Sequence, residues 1–215
     1  GSQEISFFPR NIESKNFSIN IGTAGSISLV LQALMPALTQ ITKPVKIEII
    51  GGTDAKMAPP IDYIKYILLK LLSKLGYQAE LEIVRRGFYP KGGGRVIFKV
   101  NPMKLTPYNF VEIGKNLVVN GFSCASQELE KAKVAERQSY EVKRLLTTQL
   151  KNIIDDIPIK IKSQYVDSFS IGSVLTLWLE TEKSVLGASS LGERGKSSEE
   201  VAEDACKNLI NEVKR

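Results

Sequence analysis

The sequence predicts an α+β fold built on a βαβαββ unit, and three observations carry that expectation. Apolar residues recur at helical spacing in Ile27, Leu31, Leu34, Leu38 and Ile41, and again in Ile61, Ile64, Leu68, Leu71, Leu72 and Leu75. Shorter stretches between and after these runs alternate apolar with polar residues, as half-buried strands do. Glycine-bearing turns punctuate each change of period. Helices that share one face of a sheet are the packing solution such a pattern favours.

Taken in order, residues 4–8 and 16–21 read as short strands separated by a turn near Pro9–Ser14. The turn Gly22-Thr23-Ala24-Gly25-Ser26 leads into the first helix, where Pro36 predicts a kink or a break. Val45–Ile50 is a strand and Gly51-Gly52-Thr53-Asp54 the turn that leaves it. Pro59-Pro60 opens the second helix, because proline suits a first helical turn, and Gly76 stops it as a C′ residue. Ala79–Arg85 and Arg95–Val100 alternate as strands around the glycine-rich connector Arg86–Gly94. Pro102, Pro107 and a loss of periodicity mark a boundary between Asn101 and Gly114.

The second half predicts a strand at Leu117–Cys124 and a long Lys- and Glu-rich helix at Gln127–Leu150, apolar along Val134, Val142, Leu145, Leu146 and Leu150. Strands follow at Ile159–Tyr165 and Ser173–Thr181. The latter is apolar at both parities, Val174 and Trp178 against Leu175, Leu177 and Leu179, which predicts a strand covered on both faces. Gly192-Glu193-Arg194-Gly195 is a loop, and Ser197–Val213 a closing helix with a capping box spelled by Ser197 and Glu200.

Composition narrows the class. The chain is 43% hydrophobic and 24% charged, ordinary for a folded soluble protein. No run approaches the roughly 20 apolar residues of a membrane helix, and no basic-then-apolar leader is present. Cys124 and Cys206 lack metal-ligand spacing and read as idle thiols in a reducing, cytoplasmic setting. There is no histidine, which excludes Ser-His-Asp and Cys-His catalysis and His-ligated metals within these residues. Net charge is +6, compatible with a polyanionic partner without establishing one.

Four stretches can carry chemistry, each with a plainer alternative. The Gly22–Ser26 turn before a helix is a phosphate cradle or an ordinary turn. Asp54 is an acid aimed at substrate or metal, or a residue capping its own turn. Between Arg85 and Lys99 stand five basic residues and no acid, with Phe88, Tyr89 and Phe98 among them. Arginines there pair with phosphate and aromatics stack on unpaired bases, unless the stretch is a glycine hinge beside a solvated edge. Glu199, Glu200, Glu203 and Asp204 belong to a helix start or, alternatively, a metal site.

Strung together, GTAGS, GGTD with APP, RRGFYPKGGG and GERGK resemble the RNA 3′-terminal phosphate cyclase family, strongly over residues 19–100 and loosely over 115–190. The resemblance implies βαβαββ repeats, similar to the C-terminal domain of translation initiation factor 3, with a smaller inserted α/β domain. Residues 1–21 would end the first repeat and 22–104 form the second. Residues 110–125 and 188–215 would belong to a third, around an insert at 126–187.

The resemblance further implies an ATP-dependent conversion of an RNA 3′-phosphate to a 2′,3′-cyclic phosphate, aided by Mg2+ or Mn2+. Its intermediates would be an enzyme-histidine-AMP adduct and an RNA-adenylate. Gln32 resembles the glutamine that contacts ATP, and Pro60 the proline that packs on adenine. Asp54, Arg85, Arg86 and Lys91 match motifs at the phosphate or RNA surface. The family's first glycine-rich motif and its nucleophilic histidine have no match here, so no catalytic residue is assigned and this chain alone is expected to be inactive. Two rivals remain: a non-catalytic relative in ribosome assembly that binds RNA or protein, and an enolpyruvyl transferase of the same repeat architecture.

Overall fold

A computed structural model describes residues 3–6, 8, 12–112, 114–115, 117–150 and 157–214. Of the amino-terminal expectations, residues 4–6 and 8 are irregular rather than a strand, and part of the turn at Pro9–Ser14 lies outside the described residues. The first strand, β1 (Phe17–Asn20), leads through the Gly22–Ser26 turn into α1 (Ile27–Ala37), whose N-cap Ser26 accepts from the Leu29 N–H at 3.3 Å. Pro36 sits inside the last turn, and the helix gives way to a 3₁₀ turn at Leu38–Gln40, the break its missing N–H predicts.

The strand β2 (Val45–Gly51) buries Val45, Ile47, Ile49 and Gly51 and turns the intervening residues outward. A continuous helix then runs over residues 61–74: α2 (Ile61–Tyr63), a π turn at Ile64–Leu68, and α3 (Leu69–Lys74). Gly76 ends it at φ +88, as a C′ residue should. β3 (Ala79–Arg85) and β4 (Gly94–Val100) complete a sheet ordered β1-β2-β4-β3, with β1 parallel to β2 and the other pairs antiparallel. Ile27, Leu31 and Met35 of α1 meet Ile61, Ile64, Ile47, Ile49 and Phe98 in one core. This is the expected βαβαββ unit.

The second unit comprises β5 (Val118–Ser126), α4 (Val134–Leu150), β6 (Ile159–Val166), β7 (Ser173–Glu180), β8 (Val185–Leu191) and α5 (Ser198–Val213). Its sheet is ordered β6-β5-β7-β8, with β5 and β6 parallel and the rest antiparallel. The helix expected from Gln127 begins later: a 3₁₀ turn at Gln127–Leu129 and Lys133 at φ +51 precede it. Strand β8 was not anticipated, because Gly187, Ser189 and Ser190 dilute its alternation. Described residues from each of the stretches 110–125, 126–187 and 188–215, divided above between a repeat and an insert, contribute to this one sheet and its helices. The boundaries at 125/126 and 187/188 therefore fall inside a packed unit. Pairing decides this: β5 is an interior strand, hydrogen-bonded to β6 on one side and β7 on the other.

Strand β7 is covered on both faces, as its sequence predicts. Leu175, Leu177 and Leu179 pack with Val142, Leu146, Val201 and Leu209 of α4 and α5. On the other face Trp178 packs with Ile67 and Tyr66 of the π turn, and Val174 with Phe88. The Tyr66 and Trp178 rings stack at 4.8 Å, and Lys74 donates to the Glu182 carbonyl at 3.0 Å. Helix 61–74 thus serves both units, and its π turn lies where the two demands meet. No described helix is long and apolar enough to cross a membrane.

Candidate functional site

Strand polarity gathers the glycine-rich turns at one end of the first sheet. β1, β2 and β3 finish there, β4 begins there, and α1 and α2 start there. The turns bond to one another directly. Gly52 N–H donates to the Gly25 carbonyl at 2.7 Å, Ile27 N–H to Gly52 at 2.9 Å, and Thr53 N–H to Gly87 at 2.9 Å. A Cβ on Gly52 would stand 2.2 Å from the Ala24 carbonyl oxygen, and one on Gly92 (φ +63) 2.7 Å from the Ala24 Cα. Backbone approach that close admits only glycine. The fourth motif is tied in by an ion pair between Lys56 and Glu193 at 2.8 Å.

The Gly22–Ser26 turn satisfies much of its own polarity. Gly22 N–H bonds to the Asn20 side chain and Gly25 N–H to that of Thr23, at 2.9 and 3.1 Å. Leu29 and Ile27 are bonded as above, so of the two readings of this turn the ordinary one has the stronger geometric support.

Behind the turns lies a buried charge cluster. The Arg86 guanidinium is 4% exposed and donates to both oxygens of Asp54 at 3.3 and 3.2 Å and to Asp62 Oδ2 at 2.6 Å. Thr53 Oγ1 donates to Asp54 at 2.6 Å and accepts from the Gly87 N–H at 3.0 Å. Two carboxylates share one cation. Burial pushes the Asp62 carboxyl above its ordinary range, Arg86 opposes the rise, and Asp54 adds to it. Burial works against the Arg86 charge, but the two carboxylates outweigh it and hold the guanidinium protonated. Asp54 and Arg86, expected on a phosphate or RNA surface, are instead spent on each other and on Asp62. A guanidinium so paired has little left for a ligand, and removing either sign would strand the other.

The remaining expected residues divide. Pro60 is buried at the N-cap of α2, next to Ile61, whose N–H bonds to Thr53. Gln32 is exposed on α1. Lys91 is exposed, its N–H held by the Ser170 hydroxyl at 3.0 Å. Arg85 donates through Nε to the Gly93 carbonyl at 2.8 Å, lies 4.3 Å over the Phe169 ring, and faces a groove between the units. Asp62 was missed by sequence reasoning, although an acid two residues past Pro60 in an apolar helix start was a usable signal. Phe169 had none: only the tertiary fold brings it to the glycine loop.

Other candidates resolve more simply. Ser197 and Glu200 form the complete capping box, Glu199 pairs with Arg137 at 2.7 Å and Asp204 with Lys196 at 2.6 Å. Among the described residues no group of three or more His, Cys, Asp or Glu could hold a metal ion. Burial pushes the Cys124 and Cys206 thiols up to about 12, so neither is a nucleophile at neutral pH.

Comparison with known proteins supplies the remaining finding. A family model described as RNA 3′-terminal phosphate cyclase matches residues 1–208. Relatives carrying that same name occur in Hyperthermus butylicus, 41% identical over 220 residues, and in Ignicoccus hospitalis, 43% identical over 217 residues. In each the alignment takes in 99% of this chain and 60% of the relative. A Pyrococcus abyssi protein of that name is 41% identical across 100% of this chain and 60% of its own length. The chain thus spans about 60% of the length of these relatives.

Proposed function

The chain belongs to the RNA 3′-terminal phosphate cyclase family, and from that premise we propose that it supplies nucleotide- and RNA-facing surfaces for ATP-dependent cyclisation of RNA 3′-phosphates. One observation carries the reading. The four motifs behind the resemblance, scattered along the chain, are linked through Gly25–Gly52, Thr53–Gly87, the Gly92–Ala24 contact and Lys56–Glu193. Turns that close on one another at the carboxyl ends of strands form the usual place for a ligand in an α/β layer.

In the proposed reaction a histidine nitrogen attacks the ATP α-phosphorus and pyrophosphate leaves. The RNA 3′-phosphate then displaces the histidine and takes AMP. Last, the neighbouring 2′-hydroxyl attacks the 3′-phosphorus, AMP departs, and the ring closes. These residues contain no histidine, so they contribute binding and positioning rather than the nucleophile. Gln32 and Pro60 are assigned to ATP, and Arg85 and Lys91 to the RNA or phosphate surface. The Asp54–Arg86–Asp62 cluster holds the GGTD and RRGFYPKGGG turns together. A divalent ion, Mg2+ or Mn2+, belongs to the family chemistry, and among the described residues no group of three or more His, Cys, Asp or Glu is gathered to hold one. A cytoplasmic setting is part of the same proposal, in keeping with two buried, unpaired thiols.

The test is covalent labelling with α-labelled ATP and a divalent ion, on this chain and on a complete relative, followed by denaturation. Label on the relative alone is expected. Label on the chain would require a nucleophile other than histidine and overturn the mechanism. Label on neither would favour the non-catalytic, ribosome-assembly type of relative.

A further inference from the structure

The groove that Arg85 faces has a volume of about 620 Å³ and lies between the free edge of β3 and the end of β6. Its lining is chemically mixed in an informative way. Lys65, Arg85 and Arg95 bring positive charge, Tyr66, Phe122 and Tyr165 bring rings, and Asp62 and Arg86 reach it from below. Not all of that charge is free. Arg86 is spent on two carboxylates and Arg95 pairs with Glu48. Among the described residues Lys65 and Arg85 form no ion pair, and Asp167 at the rim is the one exposed carboxylate in the lining.

A register shift explains why Arg85 is there. β3 is irregular between Ile83 and Arg85, so that Arg85 rather than Val84 stands opposite Arg95. With Arg85 set beside Arg95 at the groove, the strand's alternation turns the next residue, Arg86, into the buried cluster. Tyr165 is held in place as well. Its hydroxyl accepts from the Ala135 N–H at 3.1 Å and donates to Glu136, which fixes the ring at the wall. One acceptor is left over: Asp62 Oδ1 is buried and has no hydrogen-bond partner. Unpaired cations suit phosphates, and a fixed aromatic ring suits a base.

The volume is that of a small-ligand pocket and excludes a duplex. Position favours a strand over a free nucleotide. The loop that walls the groove through the Arg85–Gly93 bond is the loop whose Gly92 seats on Ala24 in the turn cluster. That loop borders both the turn cluster and the groove, so a strand that ended at the turns would pass it to reach the groove. We propose that the groove holds single-stranded RNA just upstream of the reacting 3′ end, with Lys65 and Arg85 on its phosphates and Tyr165 against a base. This rests on the cyclase reading for the identity of the substrate, and Lys65 and Tyr165 are its new elements.

The test is fluorescence anisotropy of a labelled single-stranded RNA ending in a 3′-phosphate, titrated with the chain at several salt concentrations. Lys65→Ala and Arg85→Ala should each weaken binding about tenfold at low salt and lower the log–log salt slope by roughly 0.7. Tyr165→Ala should weaken it about tenfold with little change in salt slope, and Tyr165→Phe, which keeps the ring but loses the two bonds that fix it, should weaken it less. Thermal melts confirm that each variant folds. Full affinity in folded Lys65→Ala and Tyr165→Ala would overturn the groove. So would a 3′-mononucleotide that competes as well as the oligonucleotide, which would make this a small-anion site. Labelling separates the two readings. A complete relative that takes AMP while the groove variants bind normally keeps the cyclase and loses the groove. Failed labelling with variant-sensitive RNA binding does the reverse.

Discussion

Both sheets carry a parallel pair at one edge and two antiparallel neighbours, yet they treat their faces and their charges differently. In the first sheet β2 and β4 bury one face under α1 and helix 61–74, while Lys46, Arg95 and Lys99 look outward exposed. In the second, β7 is buried on both sides, by α4 and α5 behind and by helix 61–74 in front. The first unit keeps an arginine and two carboxylates in its interior. In the second, the Arg137–Glu199 pair lies at the surface, with side chains 48% and 40% exposed. The unit that carries three of the four motifs buries an arginine between two carboxylates, and there the charge ties turns together; in the second unit the buried Glu141 pairs with the exposed Arg144.

The sharpest way to test that contrast is to remove one arginine from each unit. Arg86→Ala strands Asp54 and Asp62 in the interior and should cost about 3–5 kcal/mol in denaturant unfolding. Arg137→Ala should cost under about 1 kcal/mol. Equal losses would erase the distinction between internal and surface charge.

A smaller effect separates the two kinds of glycine contact. Gly187→Ala sets a methyl 2.6 Å from Ile67 Cγ1 across the junction of the units, and Gly52→Ala sets one against backbone inside the turn cluster. Each should cost about 1–3 kcal/mol. They differ in order of events. Trp178 is the only tryptophan and lies at the junction. Its emission should shift red ahead of the loss of secondary structure in Gly187→Ala and together with it in Gly52→Ala.

The smallest effect concerns the second unit's own helix. Ser197→Ala removes the side-chain cap of α5 and should cost about 1 kcal/mol. Hydrogen bonding to the Ser197 backbone N–H first, and to its hydroxyl second, holds the Glu200 carboxyl below its ordinary 4.5, and only the hydroxyl's share is lost in Ser197→Ala. A depressed carboxylate stabilises the fold above the unfolded value and stops doing so as pH falls through the lower folded one. The gap between wild type and Ser197→Ala should therefore be widest near neutral pH and narrow below about pH 4.5. A pH-independent gap would show that the Glu200 carboxylate gains nothing from the Ser197 hydroxyl.

Legibility followed the range of the interaction. Ser197–Glu200, Gly76 and the break after Pro36 are settled within a few residues, and all were readable from the chain. Both-face burial of β7 was readable too, because apolar residues at both parities leave no other reading. The π turn at Ile64–Leu68 was not, since it answers a second unit that packs on Tyr66 and Ile67 from outside. Among the candidate site residues, the motifs around Asp54, Arg85, Arg86 and Lys91 were legible as motifs, but their side-chain roles were not. Arg85 and Arg86 are neighbours of one residue type, and which of them turns inward depends on the register of β3 against β4.

Local spacing, turn residues and motif order were enough to establish an α+β chain with a βαβαββ unit and a family resemblance that a family model matching residues 1–208 bears out. They sufficed because periodicity and capping depend on residues within a turn or two of each other. Which strands share the second sheet, which arginine is buried, and which rings and cations line the groove depended on contacts between residues far apart in the chain. Pairing partners and desolvation are properties of the packed whole, so they emerged only when both units were in place.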